Sequence, residues 1–173
     1  MTSPGDRADA IARAWAREHS GVPVGSIGIL TRIWQAAKLL SGERRRALAR
    51  IGLDAATLDL LSTLRRSGPP YRLSTRELAD RCLVTAGAVT QRVDRGIEAG
   101  LVIRTPAGDR SRSVFVELTK HGHRVVENAV GRLLSYEQGL VDHLTPGEQE
   151  ELARLLAALL SGLAARAAAQ PDR

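Results

Sequence analysis

Gln91 and Arg95 stand four residues apart in the helical stretch 86–99, which puts both on one side of a helix. A glutamine amide can bond adenine bidentately and an arginine guanidinium can do the same to guanine, each discriminating by about 1–3 kcal/mol. Ahead of them Thr85, Ala86, Gly87 and Thr90 crowd the helix start. Small residues there allow close approach to base edges, and the free N–H groups face phosphate. Val89, Val93 and Ile97 fall within an arc of about 80° on the other side, the face expected to be buried. An amphipathic helix with a solvated polar face has the same pattern, so the flanking elements must decide.

Charge placement points the same way. The 173 residues carry 25 Lys+Arg against 19 Asp+Glu, a formal +6, and all but Lys38 and Lys120 of those bases are arginine. Residues 60–116 alone hold ten arginines and five acids, a net of +5. A codon bias toward arginine would spread evenly, whereas a phosphate-binding surface concentrates charge. Arg110 and Arg112 lie in the polar run 106–112 and are placed to reach phosphates or a narrow minor groove.

The elements that must position these groups follow from periodicity and punctuation. Helices are expected over about 6–18, 26–49 and 55–66, with breaks at Gly21-x-Pro23, Gly52 and Ser67-Gly68-Pro69-Pro70. Residues 71–73 read as short and extended. Ser74 with Glu77 forms a capping box for a helix to about Cys82, and Thr85 caps the next, ending at Gly100. Two short helices across a tight turn make a helix-turn-helix. The β-branched runs 101–105 and 113–118 around the basic turn read as a β-hairpin, so the unit is a winged helix. Gly96 inside the recognition helix has no explanation at this level. Thr119 caps a helix to about His143, and Thr145-Pro146-Gly147-Glu148 starts the last, to about 168. Its leucines (Leu152, Leu155, Leu156, Leu159, Leu160, Leu163) cover more of the helix than a monomer needs, which implies a partner subunit.

Composition excludes several classes. The five aromatics (Trp15, Trp34, Tyr71, Phe115, Tyr136) are too few for base-stacking platforms, so single-strand RNA binding is not expected. The charge-free run 155–165 is too short to span a bilayer and the N-terminus has no apolar core, so a cytoplasmic, membrane-free protein is expected. One cysteine, Cys82, rules out an intramolecular disulfide framework. His121 and His123 are two residues apart, on opposite sides of a helix, so no metal or other cofactor is expected. No nucleophile motif, P-loop or dinucleotide loop appears, and an enzyme is not expected.

Residues 27–165 resemble the MarR family of bacterial regulators. The resemblance rests on Leu73-Ser74-Thr75-Arg76-Glu77-Leu78-Ala79, on Arg92-Val93-Asp94-Arg95 and Gly100-Leu101-Val102, and on Leu118-Thr119-Lys120-His121-Gly122. It implies a mainly α, dimeric winged helix-turn-helix protein that represses genes until a small molecule releases it. The family's wing carries Asp-x-Arg, whereas Asp109-Arg110-Ser111-Arg112 has one residue more, and counting back from Leu118 gives Arg112 the minor-groove position. The implied division is N-terminal helices 1–50, a DNA-binding domain 51–118, and C-terminal dimerisation helices 119–173.

A narrower resemblance concerns the effector. The added N-terminal helix and the run from Leu58 to Tyr71 are similar to the urate-responsive branch of that family. There a Trp, an Asp and an Arg seven residues apart, and an Arg on the recognition helix form a pocket; Trp15, Asp59, Arg66 and Arg92 match. Helical-wheel geometry adds that Leu58, Leu60, Leu61 and Leu64 share one arc, with Asp59, Ser62, Thr63 and Arg66 opposite. Arg92 lies at the border of its helix's apolar arc, where it needs a partner such as Asp59. The expected mechanism is an anionic planar ligand, purine-like or a small organic acid, that competes for Arg92 and shifts the recognition helix. Some relatives sense oxidants through cysteine, but Cys82 reads better as a structural thiol. The competing reading is a DNA-binding or helical interaction protein without small-molecule sensing.

Overall fold

A computed structural model of the chain describes residues 6–19, 21–106 and 114–169. Its elements are α1 (Arg7–Glu18), α2 (Ile27–Ile51), α3 (Ala55–Arg66), β1 (Arg72–Ser74), α4 (Thr75–Cys82), α5 (Ala86–Glu98), β2 (Val102–Pro106), β3 (Val114–Leu118), α6 (Lys120–Gly139) and α7 (Pro146–Ala169). The strands form one antiparallel sheet in the order β1-β3-β2, so the short run after Pro70 joins the hairpin as a third strand. In register, Leu73 faces Val116 and Val102 faces Leu118, which lines one side of the sheet with apolar groups. This is the winged helix-turn-helix architecture.

Caps set the boundaries. Asp6 accepts from the N–H groups of Ala8 and Asp9, Asp54 from Thr57 and Thr85 from Ala88. Ser74 and Glu77 cap reciprocally, and Thr145 and Glu148 do the same at α7. Gly52, at φ 80, ends α2 in the left-handed conformation, with its N–H and that of Leu53 returning to Leu48 O. Arg32 donates to both Asp6 and Asp9, tying α1 to α2.

The chain divides into two compact units, residues 1–129 and 130–173. In the first, α3 packs against α4, α5 and β3. Leu58, Leu60, Leu61 and Leu64 of α3 are buried together with Leu73, Leu78, Val89, Val93, Val102 and Val116. Each such side chain contributes roughly 1.5–3 kcal/mol by leaving water, so this cluster positions α5. Gly96 now has a reason. A Cβ there would sit 2.9 Å from Val102 Cγ2 and 3.4 Å from Leu60 Cδ2, so glycine lets β2 and α3 close on the recognition helix. Gly122 is tighter, its Cβ falling 2.0 Å from the Leu101 carbonyl oxygen.

Three details depart from expectation. Ile97 is exposed, and Gly96 takes the buried place in that arc beneath Val102. Thr63 is buried although it lies on the polar arc of α3. There α4 covers it, with Cys82 Sγ 3.5 Å from its hydroxyl, and the contact keeps the polar atom satisfied. Finally α6 stops at Gly139 instead of continuing to His143. The N–H groups of Leu140 and Val141 reach back only three residues, to Glu137 and Gln138, which tightens the end into a turn.

In the second unit Gln149 Nε2 donates to the carbonyls of Val141 and Leu144, closing the turn onto α7. None of the residues of α7 is buried. At 24 residues it is also long and apolar enough to cross a membrane by length and composition. The charge-free run 155–165 is shorter because Arg154 and Arg166 bound it, while the apolar stretch continues past both.

Candidate nucleic-acid interface

Thr85, Ala86, Gly87, Thr90, Gln91 and Arg95 all lie exposed at the start and along one face of α5. Thr90 turns its hydroxyl back to Ala86 O, so it presents mainly its methyl, while Arg95 Nε bonds Gln91 O loosely at 3.4 Å. The opposite face, Val89 and Val93, is fully buried. The geometry therefore offers a short-residue helix tip followed by an amide and a guanidinium, able to enter a major groove. Arg110 and Arg112 lie outside the described residues.

The helix is held on two flanks by ion pairs of opposite sense. On one, Arg92 Nη1 meets Asp59 Oδ2 of α3 at 2.7 Å. The arginine side chain is 18% exposed and the aspartate 40%, so the pair is shielded on the arginine side only. On the other, Asp94 meets Arg104 of β2 at 2.7 Å, linking the helix to the wing. That contact was not legible in the sequence, since residues 94 and 104 belong to different elements and only the β2 register brings them together. Arg76 is a further exposed cation, in the first turn of α4.

Four residues match an effector pocket: Trp15, Asp59, Arg66 and Arg92. Asp59 and Arg92 touch. Arg66 is exposed, its Nη2 3.4 Å from Thr63 Oγ1. Trp15 on α1 is 54% exposed. Two cavities, of about 570 and 480 Å³, lie in the first unit. The larger is lined by His121, Arg124 and Asn128 over Ile51, Leu53 and Leu101, and neither is lined by any of the four.

Cys82 is half-buried beside the ion pair. Burial pushes its thiol pKa up, and the Asp59 charge adds to that against an opposing effect of Thr63 and Arg92. The sulfur is therefore a protonated thiol at neutral pH, a poor nucleophile.

Known proteins share this fold. A model of the MarR family matches residues 51–113. The HTH-type transcriptional regulator PecS of Dickeya dadantii (strain 3937) is 28% identical over 149 residues, covering 86% of this chain and 88% of that protein. A MarR family transcriptional regulator from Streptomyces coelicolor, solved in complex with DNA, superposes with a TM-score of 0.69 at 26% identity, over 82% of this chain and 93% of that one. A mutant MarR from E. coli complexed with operator DNA gives 0.64 at 25% identity, over 80% and 99%. The helix-turn-helix, the three-stranded sheet and these likenesses agree: residues 51–113 carry a MarR family domain, and the chain around it is similar to DNA-binding winged-helix transcriptional regulators of the MarR type.

Proposed function

We propose that the protein is a homodimeric repressor that binds a pseudo-palindromic operator and is released by a small anionic effector. In this reading Thr85, Ala86, Gly87, Thr90, Gln91 and Arg95 contact bases and phosphates of the major groove, and Arg110 and Arg112 the minor groove. The observation that carries effector control is the 2.7 Å pair between Arg92 and Asp59. Arg92 shares a helix with the exposed Gln91 and Arg95, so any anion that draws it from Asp59 acts directly on the DNA-reading face. Arg66 clamps the anion and Trp15 walls the site. A coupling of about 1–3 kcal/mol between effector and DNA is enough to vacate an operator.

The exposed apolar side chains support a dimer. Ile29, Leu30, Trp34, Leu39 and Leu40 on α2 and Leu152, Leu155, Leu156, Leu160 and Leu163 on α7 stand in solvent. Apolar side chains exposed in such number on each helix call for a partner. A second copy seated on α7 accounts for its apolar character without a membrane, in keeping with a cytoplasmic regulator. Residues 1–50 and 119–173 then serve dimerisation, and residues 51–118 DNA binding. Dimer symmetry sets operator half-sites about 10 bp apart.

The test is a gel shift on the DNA upstream of the protein's own gene, titrated with urate, xanthine, citrate and aromatic acids. One of these ligands releases DNA from the wild type and leaves Arg92→Ala bound. Normal release from Arg92→Ala refutes the mechanism. A second reading, a DNA-binding protein without effector sensing, draws on the open setting of Trp15 and Arg66. Silence of the wild type across the whole panel favours it.

A further inference from the structure

Leu83 ends α4 and opens the turn to α5. Its backbone is left-handed at φ 53, and its N–H and that of Val84 both return to the Ala79 carbonyl. Glycine adopts that conformation freely, whereas a side chain meets steric resistance there. The leucine gains no packing in exchange. It is 91% exposed, the highest value among the large apolar side chains described. Most of the others stand on α2 and α7. Leu83 stands apart from them, two residues before the cap of the recognition helix, which puts its Cα within about 8 Å of Thr85 Cα. Around it Thr85, Ala86 and Gly87 are exposed and short, so Leu83 is the longest apolar group on that edge.

We infer that Leu83 is a specificity-determining residue that packs on the C5-methyl group of a thymine flanking the recognition helix. That methyl is the apolar feature of the major-groove edge, and an aliphatic side chain held at the rim of α5 is the complementary group. The inference deepens the docking of α5 proposed above and rests on it.

The probe is a duplex selected from a random library by the wild-type protein, with deoxyuridine then replacing each thymidine in turn. Uracil lacks only the methyl, so at one symmetry-related pair of positions wild-type affinity falls about fourfold per methyl lost. Leu83→Gly binds the thymine duplex with correspondingly lower affinity and no longer distinguishes uracil. Its salt dependence stays that of the wild type, because no phosphate contact is removed. The variant keeps its melting temperature, glycine being at ease in the left-handed turn. The inference is overturned if Leu83→Gly retains the wild-type thymine-to-uracil ratio at every position, or if the wild type has no methyl-sensitive position. Gln91→Ala and Arg95→Ala separate the two levels. If both bind the duplex as the wild type does, the docking of α5 fails. If they weaken binding while Leu83→Gly keeps the ratio, only the role of Leu83 fails.

Discussion

Replacing Asp59 by asparagine removes the charge that holds Arg92 and changes little else in size. The 2.7 Å contact is a charge-assisted hydrogen bond, a type that contributes about 1.5–3 kcal/mol when shielded. Asp59 is 40% exposed, which screens the pair toward the 0–1 kcal/mol of surface bridges. Arg92, at 18% exposure, cannot regain full hydration when left alone, which pulls the other way. The balance is a loss of about 1–2 kcal/mol, or a melting temperature lower by about 2–8 °C in a chain of this size. The same loss loosens α5 against α3, so DNA affinity falls by about 5–30-fold if the tether orients the helix for docking. A double-mutant cycle with Asp59→Asn and Arg92→Gln isolates the pair, read by thermal denaturation and by fluorescence anisotropy on an operator duplex. Coupling of about 1 kcal/mol or more is expected in both readouts. Strict additivity in stability and in DNA binding would refute the reasoning, because it would mean the contact carries no free energy.

Gly122→Ala forces a Cβ against the Leu101 carbonyl, backbone that cannot swing aside. A destabilisation of about 3 kcal/mol or more is expected, a drop of about 6–12 °C by calorimetry. Acid is a second probe. Hydrogen bonds from Thr57 hold the Asp54 carboxyl below its ordinary 3.8, and Ser74 holds Glu77 below 4.5. Folded values below the unfolded ones mean the stabilisation is complete above about pH 4.5 and is lost as pH falls through the folded values. Melting temperature should therefore decline between about pH 5 and 3, and Asp54→Asn, an equally good cap, should flatten that decline without lowering stability at pH 7. Leu155→Glu combined with Leu160→Glu should halve the mass measured by light scattering and abolish operator binding. An unchanged mass would remove α7 from the interface.

Much of the fold was legible because it is encoded locally. Ser74 with Glu77, Thr85, Asp54 and Thr145 with Glu148 mark helix starts within three residues of themselves, and each marks one in the structure. The apolar arc of α3 repeats every three or four residues and is buried at each leucine. The failures came where a neighbour from far along the chain decides. Thr63 looks polar-facing on its own helix, and becomes buried because α4 lies over it. Gly96 looks like a defect until Val102 and Leu60 arrive within reach of its missing Cβ.

The site divides along the same line. The sequence by itself determined that Gln91 and Arg95 face outward on α5, since side-chain direction on a helix follows from spacing, and both stand exposed opposite Val89 and Val93, while Ile97 at the end of the apolar arc is exposed as well. It also singled out Arg92 as a cation at the core's border in need of an acid. Only the tertiary structure decided that Asp59 meets it at 2.7 Å, that Asp94 is taken by Arg104, and that Leu83 stands in a left-handed turn beside the helix tip. The two ion pairs join residues 33 and 10 apart in sequence. Contacts of that kind are set by how helices and strands pack, and no periodicity within a single element encodes them.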